Sequence, residues 1–305
     1  MRTLVLISLV LAFVVVVAGA YVRLSDAGLG CPDWPLCYGQ PAPADIADRD
    51  ALVKAWKEMG HRYLAGALGV LIVVLTLAAW RARSGQWLAT AILALVIFQA
   101  TLGAWTVTML LKPAIVTAHL LGGMAVLALL SWLALAQFEA GNPHQELRKP
   151  AVIALAAVVL QIALGGWVSS NYAALACPDL PLCLGAAVPP MDFGNAFHML
   201  RELGQTPEGA LLPHEALRAI HWSHRVFAVV VLGVVGWAAY RAFRFAKSLA
   251  LLLVILVLLQ FSLGAANVAL GLPLALAAAH NAGAALLLVA LVVLNFFSFR
   301  GLRIP

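Results

Sequence analysis

Apolar residues along this chain do not recur on one face of a helix; they run unbroken. Eight stretches, roughly 3–22, 61–80, 87–107, 114–137, 150–170, 221–240, 248–270 and 273–299, are long enough to cross a hydrocarbon core, for which about 20 residues suffice. Backbone groups in lipid must be satisfied within the segment, so each stretch is expected to be helical. Between them lie two long polar loops, 23–60 and 171–220, and several short connections. Long loops in a compact protein usually carry function or cover something. Within the first, Ala44–Glu58 mixes Ile46, Leu52, Val53 and Trp56 with charges at helical spacing and predicts an amphipathic surface helix. Phe193–Leu203 and Pro213–Ala219 read the same way in the second.

The pattern repeats. A shift of 146 residues lays Gly19-Ala20-Tyr21-Val22 on Gly165-Gly166-Trp167-Val168, and Cys31-Pro32-Asp33-Trp34-Pro35-Leu36-Cys37-Tyr38-Gly39 on Cys177-Pro178-Asp179-Leu180-Pro181-Leu182-Cys183-Leu184-Gly185, identical at seven of nine positions. A shift of 161 brings Gln99, Gly103 and His119 onto Gln260, Gly264 and His280. The expected fold is therefore an all-α membrane protein in which eight transmembrane helices form two tandem pseudo-symmetric four-helix bundles, residues 1–140 and 150–305. Each unit has an even number of spans, so both copies share one orientation. The boundary falls in the loop Phe138–Lys149, whose lone His144 reads as solvated. The first span has the look of a secretory signal, with Arg2 and Ala18-Gly19-Ala20, but its match to the fifth span argues against cleavage.

Charge gives the orientation. The side holding Arg2, Arg81, Arg83, Arg148, Lys149, Arg241, Arg244, Lys247, Arg300 and Arg303 carries ten basic residues against Glu139 and Glu146, so both termini are expected in the cytoplasm. The outer loops hold eleven of the thirteen acidic residues, and the net charge of +6 is split across the membrane rather than gathered for nucleic acid. At 64% hydrophobic, 10% charged and a mean hydropathy of +0.98, the chain is excluded from the soluble class.

Candidate chemistry is confined to residues that survive the repeat. Glu58-x-x-His61-Arg62 corresponds, 163 positions on, to His221-x-x-His224-Arg225. His61 and His119, and His224 and His280, lie within about two turns of the outer surface at the 1.5 Å helical rise, so each pair can face across its own bundle. A tetrahedral metal site wants three or four N or S donors; two opposed imidazoles suit the axial positions of a heme, whose porphyrin supplies the other four. His198 and His214 have no counterpart and read as surface residues. Arg62 and Arg225 suit either heme propionates or headgroups. Gln99 and Gln260 read as interhelical hydrogen bonders. The four cysteines form two Cys-x5-Cys pairs on the oxidising side, which favours disulfides, structural or redox-active. Glu58, a carboxylate one turn before a heme ligand, makes the first half look catalytic; the second, with His221 instead, looks like an electron-transfer site.

With Gly19–Gly39, Glu58-x-x-His61-Arg62, His119, His224-Arg225 and His280 in view, the chain resembles the heme A synthase family over all eight spans. The resemblance implies oxidation of the C8 methyl of heme O to the formyl group of heme A, with heme O on His61 and His119, Glu58 near the reacting methyl, and a permanent heme b on His224 and His280. Cys31–Cys37 and Cys177–Cys183 align with the family's cysteine pairs. It further implies a bacterial plasma membrane, heme sites near the outer face, and work beside the farnesyltransferase (heme O synthase) and the assembly factors of terminal oxidases. Association into a homo-oligomer is left open. Against the enzyme stand a two-heme electron carrier of cytochrome b type and a heme transporter or chaperone.

Overall fold

A computed structural model describes residues 1–44, 46–139 and 141–301. Arg303, counted above with the inner basic residues, lies outside the described residues, as do Asp45 in the expected surface helix and Ala140 at the end of the first unit. The described residues form α1 (Arg2–Leu24), α2 (Arg49–Ala82), α3 (Gln86–Thr108), α4 (Pro113–Leu135), α5 (Gln145–Ser170), α6 (Phe193–Ala196), α7 (His214–Ala242), α8 (Lys247–Ala269) and α9 (Leu274–Arg300). All but α6 are long and apolar enough to cross a membrane.

Helices α1 to α4 close one ring of contacts, α1 on α2, α2 on α3, α3 on α4 and α4 on α1. Helices α5, α7, α8 and α9 close another in the same order. The rings meet where α1 and α4 pack on α9 and α4 packs on α5. Helix α9 is consequently the most enclosed, with 67% of its apolar window buried against 17% for α1. Its Asn295 donates to the Ala151 carbonyl of α5 at 3.0 Å, so even this apolar seam carries a hydrogen bond. Short turns close the end opposite the long loops: Arg83 and Gly85, both left-handed, reverse the chain between α2 and α3.

Four expectations are corrected. The amphipathic segment expected over Ala44–Glu58 is no separate surface helix but the first turns of α2, which starts at Arg49 behind an Asp48 cap. At 34 residues α2 is roughly 51 Å long against a core of about 30 Å, so its first turns extend beyond the hydrocarbon. Ala55 and Met59 face the first cysteine loop there, while Val53 and Trp56 stay exposed. Likewise Pro213–Ala219 opens α7. Of Phe193–Leu203 only Phe193–Ala196 is helical, because its last carbonyls are taken by side chains: Trp167 Nε1 donates to Ala196 (2.8 Å) and Arg201 Nε to Asn195 (3.1 Å). His144 is not simply solvated; its ring stacks on Phe297 at 4.4 Å with Phe245 at 5.0 Å.

Candidate heme sites and the loops above them

Each cysteine loop is built the same way. Cys37 and Gln40 exchange main-chain hydrogen bonds around Tyr38 and Gly39, both at positive φ (53° and 74°), the two-residue turn that favours glycine second. Cys183 and Ala186 do so around Leu184 and Gly185 (53° and 75°). Asp33 accepts from the Tyr38 and Gly39 amides at 2.7 and 2.8 Å, and Asp179 from Leu184 and Gly185 at 2.6 and 2.8 Å. The Gly185 and Leu184 amides hold the Asp179 carboxyl below its ordinary range. Cys31–Cys37 and Cys177–Cys183 are disulfides, and no described cysteine is free.

Both loops are pinned to the helix that carries the first histidine of each pair. In the first half the Cys31 amide donates to Glu58 Oε2 at 2.9 Å, and Arg62 bonds Glu58 Oε1 while its Nη1 reaches the Asp33 and Leu36 carbonyls at 3.0 and 2.8 Å. In the second the Cys177 amide donates to His221 Nδ1 at 3.2 Å, and Arg225 reaches the Pro181 and Leu182 carbonyls at 3.0 and 3.1 Å. Glu58 and His221 thus hold equivalent posts, both buried, and Arg62 and Arg225 clamp the loops. Gly30 is obligatory at this seam, since a Cβ there would stand 2.6 Å from the α2 backbone at Lys54.

Beneath the loops, the structure brings His61 within electrostatic reach of His119, and His224 of His280. Each ring lies against a glycine of a neighbouring helix. A Cβ would come within 2.8 Å of His61 at Gly19, 3.5 Å of His119 at Gly103, 3.0 Å of His224 at Gly165 and 3.2 Å of His280 at Gly264. The four glycines were visible in the sequence only as anchors of the repeat; at Gly19, Gly165 and Gly264 the missing Cβ leaves room beside an imidazole. In all four rings Nδ1 is buried without a partner. Buried polar groups are normally paired, so four imidazoles with an orphaned nitrogen, two in each ring of helices, mark a place for something that binds histidine. Among the described residues no three of His, Cys, Asp or Glu converge as a metal site would need. The donor set therefore fits a heme, which asks two axial nitrogens of the protein.

Outside these pairs, His198 and His214 sit in the second long loop and at the start of α7, and the structure brings neither to a histidine pair. Gln99 and Gln260 pack into the notches of Gly122 and Gly283 on the following helix. One residue escaped the sequence reading: Gln161 of α5, whose Nε2 donates to the His224 carbonyl at 3.1 Å and lies 3.5 Å from His224 Nε2. Its counterpart under the 146-residue shift is Val15, so a search for matched residues passes over it.

The sequence profile of COX15-CtaA, described as a cytochrome oxidase assembly protein, matches residues 2–292. The heme A synthase of Shewanella oneidensis is 42% identical over 95% of this chain and 94% of its own length. That of Caulobacter sp. strain K31 is 31% identical over 92% and 90%, and that of Halalkalibacterium halodurans 29% over 72% and 79%. With the match running through both histidine pairs and both cysteine loops, the chain belongs to the COX15-CtaA family, among the heme A synthases.

Proposed function

We propose that the protein oxidises heme O to heme A in the plasma membrane, with the two four-helix units as pseudo-symmetric bundles of unequal duty. The observation that carries this reading is the two histidines with an orphaned, buried nitrogen in each bundle, combined with a buried carboxylate beside only one of the two pairs. The first bundle takes heme O as substrate on His61 and His119. The second holds heme b on His224 and His280; that group supplies one-electron chemistry when bound. Both termini face the cytoplasm and both sites lie near the outer face, in keeping with the basic residues at the opposite end.

The reaction carries the C8 methyl of heme O through two hydroxylations and loss of water to the formyl group, a four-electron oxidation whose electrons pass to an external oxidant. What the chain contributes is placement. Glu58 stands one helical turn before His61, enclosed by the first disulfide loop, with Oε2 held by the Cys31 amide and Oε1 by Arg62. A carboxylate fixed at both oxygens costs no reorganisation when positive charge or a proton must be met beside the substrate. Arg62 and Arg225, held by the loop carbonyls, are the residues that would pair with heme propionates. The loop itself covers this end of the bundle and limits water.

The test is expression in a host that makes heme O but no heme A, followed by extraction of the hemes and identification by chromatography and mass. Heme A or its hydroxymethyl precursor is expected. Recovery of heme b with unchanged heme O would favour the electron carrier instead.

A further inference from the structure

From the contact between Gln161 and His224 we infer that Gln161 is a positioning residue for the second bundle's first ligand, and that the first bundle is built without one. The inference rests on the assignment of heme b to His224 and His280. Gln161 Nε2 donates to the main-chain carbonyl of His224 at 3.1 Å, which ties α7 to α5 at the ligand residue itself. Four residues on, and so on the same face of α5, Gly165 lies against the His224 ring. The amide's other end, Oε1, is buried and has no partner; neither has His224 Nδ1. These two orphans are chemically complementary. An imidazole that gives Nε2 to iron keeps its proton on Nδ1, and ligating histidines almost always pass that proton to a carbonyl or carboxylate acceptor. In this structure the amide instead sets its Nε2 3.5 Å from His224 Nε2; with Nε2 given to iron and the ring turned so that Nδ1 meets α5, Gln161 Oε1 would be that acceptor. That hydrogen bond would fix the ring plane and strengthen the nitrogen offered to iron.

The first bundle has the same glycine, Gly19, against His61, and the same buried Nδ1. At the position of Gln161 it has Val15, which offers no acceptor. One site thus grips its ligand and the other leaves it freer to rotate, a difference that suits a resident cofactor beside a substrate that must come and go.

Replacing Gln161 with leucine keeps the bulk and removes both contacts, and Q161E keeps an acceptor while losing the donor. In purified protein, Q161L is expected to shift the low-spin ferric signal of the second heme in electron paramagnetic resonance, raise its midpoint potential, and speed heme transfer to apomyoglobin about tenfold, the scale of one buried hydrogen bond. Q161E should restore the wild-type spectrum. The reciprocal V15Q should slow heme loss from the first bundle. Unchanged spectrum, potential and transfer in Q161L, with His224→Ala still stripping heme b, would overturn the role of Gln161 and leave the site assignment standing. Retention of heme b by His224→Ala would overturn both, and a V15Q protein that releases heme at the original rate would overturn the asymmetry.

Discussion

At the scale of single residues, the two halves use one plan with different side chains. Glu58 and His221 each accept the amide of the first cysteine in their loop, at 2.9 and 3.2 Å, so a carboxylate and an imidazole serve the same structural bond. Only the carboxylate adds charge. Glu58→Gln is therefore expected to keep the loop and heme occupancy while lowering heme A yield by about a hundredfold, the scale of one lost electrostatic group. Quantified hemes from the variant check it, and an unchanged yield would remove Glu58 from the chemistry. Asp179 makes a prediction of its own. Its carboxyl is held below the ordinary value by the Gly185 and Leu184 amides, so its contribution to the loop is full above the unfolded carboxylate pKa and is lost as pH falls through the depressed one. Amide exchange at Leu184 and Gly185 should accelerate only at strongly acid pH, and D179N should be fast at every pH.

At the scale of elements, the sequence was most legible where chemistry forces a pattern. Unbroken apolar runs placed all eight long helices, and the repeated motif placed the disulfides. It was least legible where a helix end is decided by partners distant along the chain. Nothing in residues 44–58 tells a separate amphipathic helix from the protruding start of α2, because both bury one face; the difference lies in the Cys31–Cys37 loop that Ala55 and Met59 pack against. Helix α6 stops after one turn because Trp167 and Arg201 claim its carbonyls. Gln161 was missed for the opposite reason: its value lies in breaking the repeat. The helix-to-helix glycines yield a graded prediction. Alanine at Gly19 and Gly165, where Cβ would stand 2.8 and 3.0 Å from a histidine ring, should cost heme occupancy at His61 and His224. Alanine at Gly103, at 3.5 Å, meets ordinary van der Waals contact and should be tolerated. Heme-to-protein ratios of the three variants decide whether the glycines make room for the rings.

At the scale of the whole molecule, the rings of helices are joined by an apolar seam through α9 and by polar contacts at the loop end. Arg23 donates to the Ser169 carbonyl at 2.8 Å and lies over the Tyr172 ring, and Lys112 pairs with Glu202 at 2.6 Å. Arg23 and Ser169 are aligned positions of the repeat, so the two copies touch at corresponding points. The Lys112–Glu202 pair is partly exposed and worth little by itself; K112A is expected to leave thermal stability within a few degrees of wild type. What the joined halves are proposed to achieve is a division of labour between two histidine pairs. Its most direct measurement is the heme content of four alanine variants, at His61, His119, His224 and His280, expressed where heme O is made. Loss of heme b with retention of heme O or heme A from the His224 and His280 variants, and the reverse from His61 and His119, is the predicted result. Heme b persisting in the His224 and His280 variants, or vanishing from the His61 and His119 variants, would contradict it.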